Sequence, residues 1–71
     1  MSSFEQFLNE RVKAGREAEK CLPHAQLKEL REQWEKRLPG TAYMAWFIAL
    51  PADEMAVVLG WEAETAKEET E

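Results

Sequence analysis

Three prolines, Pro23, Pro39 and Pro51, cut this 71-residue chain into four stretches, none of them long. Proline has no N–H to donate and pushes the residue before it out of the α region, so each one opens or closes an element. The stretch between the second and third breaks sets the hardest condition on folding. Residues 41–50 read TAYMAWFIAL and are apolar on every side. Tyr43, Trp46, Phe47 and Ile48 would suit a strand, whereas three alanines with Met44 and Leu50 suit a helix. No other segment reads as a partner strand, so the segment is taken as a helix with Thr41 as its N-cap. A helix of that kind must be covered all round. It is either the central core helix or a surface shared with a second chain.

The flanking stretches supply amphipathic helices. Over residues 2–22, Phe4, Phe7, Leu8, Val12, Ala18 and Leu22 follow a helical stripe, with charges elsewhere. Ser2 with Glu5, or Ser3 with Gln6, has capping-box spacing. Gly15 weakens the middle by up to ~1 kcal/mol and points to a bend or a close helix crossing there. Pro23 sits in the first turn of a second helix that reaches about Leu38, with Leu27, Leu30, Trp34 and Leu38 as its apolar seam. A last helix starts after Pro51, with Asp53 and Glu54 where the helix dipole favours carboxylates, and stops at Gly60. Residues 62–71 are expected to be a frayed acidic tail on a single helical domain over 1–61. The fold class is all-α: a small bundle of three to four short helices, completed by dimerisation.

A chain this short struggles to bury a sufficient core, and the usual staples are missing. There is one cysteine, and no Cys/His cluster has metal-ligand spacing. Cys21 is expected to be a buried or half-buried small apolar residue. Residues 1–20 are charged throughout and no apolar run approaches the ~20 residues needed to span a bilayer. The expectation is a cytoplasmic protein with no membrane partner, and no cofactor. The net charge of −5 is unevenly spread. Residues 1–39 carry eight Lys/Arg against seven acids; residues 40–71 carry one Lys against seven acids. That acidic half disfavours nucleic acid and favours a protein partner with a basic or apolar surface.

No catalytic constellation survives inspection. The single histidine, His24, follows Pro23 at a helix start, and Asp53 and Glu54 are adjacent and so point to different faces. The aromatic set is more informative. Tyr43, Trp46, Phe47 and Trp61, with the acids Glu62 and Glu64, are the candidate protein-binding residues. Phe4, Phe7, Leu8, Leu27, Leu30, Trp34, Met44 and Ile48 are assigned to the core or to a dimer interface.

Residues 52–60, ADEMAVVLG, place Ala56 four residues before Gly60, with Met55, Leu59 and Trp61 in the flanking apolar positions. This resembles the first helix and turn of a helix-turn-helix DNA-binding unit, in which small Ala permits close helix approach and Gly permits the turn. The resemblance implies that Glu62, Glu64, Thr65, Lys67 and Glu68 stand where base and phosphate contacts are made. The segment EAETAKEETE opposes this, with five glutamates against Lys67. Two functions follow. The leading one is a non-enzymatic protein that binds and inhibits another protein, such as a transcriptional regulator targeted by a phage- or mobile-element-borne inhibitor. The alternative is a small DNA-binding regulator using residues 52–70.

Overall fold

A computed structural model of the chain describes residues 3–69, with side chains described through Ala66. Four α-helices follow one another: α1 (Ser3–Cys21), α2 (His24–Lys36), α3 (Thr41–Ile48) and α4 (Ala52–Glu69). The breaks fall where the prolines and Gly40 require them. Pro23 holds the N-cap position in extended backbone rather than the first turn, and its carbonyl accepts the Leu27 N–H at 3.0 Å. Gly40, not Thr41, caps α3; its φ of 72° is a conformation that side-chain-bearing residues avoid, and its carbonyl accepts from Met44 at 3.1 Å. The Pro51 carbonyl does the same for Met55 at 2.9 Å. α2 stops at Lys36, short of Leu38, because Arg37 turns extended and its N–H closes onto the Trp34 carbonyl at 3.3 Å.

The closest helix packing is α1 against α4. Gly15 and Gly60 meet at the crossing. A Cβ on Gly15 would lie 2.8 Å from the Gly60 Cα and 3.2 Å from the Ala56 carbonyl; one on Gly60 would lie 2.9 Å from the Gly15 Cα. The expected crossing at Gly15 is therefore real, and its partner is the residue expected to stop α4. Gly60 does not stop it. The only glycine with positive φ is Gly40, and α4 passes through Gly60 in helical conformation. Two expectations fall with that. No turn separates residues 52–59 from 61–69, so the helix-turn-helix geometry is absent from this segment. Residues 62–69 continue the helix instead of fraying, while Thr70 and Glu71 lie outside the described residues, as does the Ser2 cap.

With backbones this close, α1 and α4 leave the larger side chains to join α2. Leu30, Trp34, Val57 and Val58 form the buried cluster, and Ala18, Leu22, Leu27, Tyr43, Trp46, Phe47, Leu50 and Trp61 pack against it. Fully burying an aliphatic side chain stabilises by ~1.5–3 kcal/mol, so this small set holds α2 to α4. α3 is not the central helix: none of its residues is buried. Of the residues assigned to core or dimer, Leu30 and Trp34 are in the core, Leu27 packs on it and Leu8 is half-buried, but Phe4, Phe7, Met44 and Ile48 are exposed. Cys21 is exposed too, on the last turn of α1, contrary to expectation. Among the described residues no helix is long and apolar enough to cross a membrane.

The crossing yields a sign test. Ala is the better helix former by ~1 kcal/mol, yet Gly15→Ala and Gly60→Ala should each destabilise, by ~1–3 kcal/mol, because the new methyl meets backbone that cannot rotate away. Urea unfolding followed by circular dichroism reads this. Stabilisation by either substitution would contradict the backbone contact.

Candidate functional site

Trp34, Tyr43 and Trp61 each carry a polar hydrogen into largely apolar surroundings, and such groups need acceptors. Glu62 satisfies two of them with one oxygen. Its Oε1 accepts from Trp34 Nε1 at 2.8 Å and from the Tyr43 hydroxyl at 2.8 Å, and lies 3.5 Å from Arg37 Nη2. One carboxylate of α4 thereby ties the end of α2, the connection after it and the start of α3. Trp61, one residue earlier, points to the other side and donates from Nε1 to Glu19 of α1 at 2.8 Å. Helical geometry explains the split, since neighbouring positions face about 100° apart.

Two guanidiniums cover this aromatic patch. Arg37 sits 4.2 Å from the Trp34 ring centroid and 5.4 Å from that of Tyr43, and also donates to the Trp34 carbonyl. Arg31 lies 4.6 Å from Trp34 and 5.0 Å from Trp61, whose rings are 5.4 Å apart. Each partly exposed contact of this kind contributes ~0.5–1 kcal/mol. Around α3 the rings continue: Trp46 stacks on Tyr43 at 5.7 Å, Phe47 tilts against it at 6.2 Å, and Trp46 Nε1 donates to Gln33 at 3.3 Å. A cleft of about 320 Å³ opens beside the group, lined by Arg37, Pro39, Gly40, Tyr43 and Glu62.

The six candidate binding residues thus divide. Tyr43, Trp46 and Phe47 come together on one side of α3, and Glu62 joins them through Tyr43. Trp61 packs inward on Trp34, and Glu64 makes an exposed ion pair with Arg16 at 3.3 Å, so these two lie apart from the α3 group. Glu62 is a polar fastening inside the chain rather than part of an acidic tail. Arg31, Arg37 and Glu19 were not among the candidate residues. For Glu19 the signal was the demand of a Trp donor for an acceptor, which names the residue type but not its position; for Arg31 and Arg37, which only donate, it was the attraction of aromatic faces for guanidiniums. Chemically the group is a brace: the Glu62 carboxylate accepts from two donors and ties three parts of the chain together. Among the described residues no group of three or more His, Cys, Asp or Glu could hold a metal ion.

Comparison of the chain with family models, curated proteins and solved structures found no match.

Burial, helped by the hydrogen bond to Glu62 and the proximity of its charge, pushes the Tyr43 phenol up from 10.0 to about 12; Arg37 and the Trp34 hydrogen bond pull the other way. The folded protein therefore favours the neutral phenol. In the unfolded chain the phenol ionises from about pH 10 upward. The stability that Tyr43 contributes is full below that value and is lost as pH rises through about 12. Because Tyr43 is the single tyrosine, tyrosinate absorbance reports it alone. Its midpoint in the folded protein should lie well above that of free tyrosine, and Tyr43→Phe should flatten the alkaline loss of stability. A midpoint at the free-tyrosine value would contradict the Glu62 contact.

Proposed function

We propose that this chain is a non-enzymatic binding protein that modulates, by covering it, a protein with an apolar surface, and that α3 with the connection before it is the contact face. One observation carries the reading. α3 is eight residues of almost wholly apolar sequence, yet none is buried. Its inner side is spent on Tyr43, Trp46 and Phe47, while Met44 and Ile48 on α3 are 57% and 68% exposed, and Leu38 in the connection before α3 is 67% exposed. A cluster of large apolar side chains on a small protein marks an interaction surface, and methionine with aromatics is typical of such cores. Inhibition by steric cover is the mode that suits a small helical module without a catalytic group. The engagement of Glu62 within the chain shifts the partner's character from basic toward apolar.

The reading also includes pairing with a second copy. The surface of 5310 Å² exceeds the roughly 4,500 Å² of a folded monomer of this mass. A cytoplasmic setting suits a single exposed thiol.

Met44→Asp and Ile48→Asp test the contact face. Both positions are solvent-exposed, so unfolding free energy should stay within about 0.5 kcal/mol of the parent while a protein captured by the parent chain is lost. Capture of the same protein by parent and variants alike, or a collapsed melt, would show that α3 is scaffold.

A further inference from the structure

We infer that α1 carries the face through which two copies of this chain pair, antiparallel, along a seam of Phe4, Phe7, Arg11, Ala14, Ala18 and Cys21. This rests on the self-pairing included in the reading above and is separate from the α3 face. The six positions follow the alternating three- and four-residue spacing of a coiled-coil seam along the whole of α1. The molecule's own packing uses the neighbouring line. Leu8, Gly15 and Leu22 come one residue after Phe7, Ala14 and Cys21; Gly15 meets Gly60 and Leu22 packs on the core. The seam lies beside it, with Phe4 56% and Phe7 50% exposed and Arg11, Ala14 and Cys21 also exposed; Ala18, half-buried against the core, is where the two lines meet.

A groove of about 260 Å³ runs alongside, walled by Phe7, Leu8 and Arg11 of α1 and by Leu59, Glu62, Ala63 and Ala66 of α4. Arg11 lies over the Phe7 ring at 5.0 Å, so its stem extends the apolar line instead of interrupting it.

The occupant is a second copy because the seam is complementary to itself when reversed. Antiparallel pairing sets Phe4 against Cys21, Phe7 against Ala18 and Arg11 against Ala14. Each layer then joins a large residue to a small one, as close packing of two helices requires. A parallel pairing would instead stack Phe on Phe and Arg11 on Arg11. Charge agrees. The first half of α1 holds Glu5, Glu10 and Arg11, one net negative charge; the second holds Lys13, Arg16 and Lys20 with Glu17 and Glu19, one net positive charge. Reversal brings the unlike halves together, and a two-fold axis needs such a self-complementary patch.

Cys21, the single cysteine, supplies the test. In Phe4→Cys the new thiol should face Cys21 of the other copy. Mild oxidation should then give a covalent dimer on a non-reducing gel. The parent chain, and Phe4→Cys combined with Cys21→Ala, should stay uncrosslinked. Phe7→Glu should shift sedimentation from dimer to monomer with the helical spectrum intact. Rapid crosslinking of the parent through Cys21 alone would mean parallel pairing and overturn the seam. A dimer that neither crosslinks in Phe4→Cys nor responds to Phe7→Glu would place the interface elsewhere, leaving self-pairing intact. A parent chain that sediments as a monomer at high micromolar concentration would end both.

Discussion

The fold depends on two glycines brought into contact. Without a Cβ at either Gly15 or Gly60, the backbones of α1 and α4 approach more closely than any other pair of residues would allow. That approach fixes where α4 lies relative to α1, and the rest is built on that pair. Val57 and Val58, on the turn before Gly60, meet Leu30 and Trp34, with Ala18 and Leu22 of α1 against the same cluster, so α2 is held by large side chains while the α1–α4 crossing itself is backbone on backbone. A chain of this length has few residues to spend on a core. A glycine crossing lets one helix pair form with almost no side-chain volume and leaves the larger groups for the second layer.

The second layer ends in a polar fastening. Glu62 lies within two residues of Gly60, so the crossing also sets the height of the carboxylate that receives Trp34 and Tyr43. Arg37 completes the arrangement by lying over both rings near the carboxylate, which keeps the buried-side charge paired. α3 is attached mainly through this cluster and the Tyr43–Trp46–Phe47 stack. Attached on one side only, it leaves its other side to solvent. The proposed binding face is thus a consequence of the core's geometry: Val57, Val58, Leu30 and Trp34 form the buried cluster, and Met44 and Ile48 stay outside it.

Much of this was legible in the residues. The three prolines located the breaks, the Leu27–Leu30–Trp34 seam identified the buried side of α2, and Gly15 marked a close crossing. Helical assignment of residues 41–50, of which the structure keeps Thr41–Ile48, followed from the lack of any partner strand. What could not be read was which glycine Gly15 would meet. A Gly after an amphipathic run has the same local signature whether it ends a helix or admits a neighbour, and only the position of α1 decides. Everything after Gly60 followed that ambiguity, including the helix-turn-helix resemblance and the tail. Glu62 was misread for the same reason: in a tail it is a solvated acid, whereas on a continuing helix it lies opposite Trp34 and Tyr43. Met44 and Ile48 were assigned to core or interface together, because periodicity cannot separate the two sides of a helix that is apolar all round.

The most direct measurement is the pattern of nuclear Overhauser effects at the two glycines. The α-protons of Gly15 and Gly60 should show a strong mutual contact, and helical connectivities should run unbroken from Val57 through Glu64. A break in helical connectivity at Gly60, with no contact to Gly15, would contradict the crossing and with it the placement of Glu62 and α3.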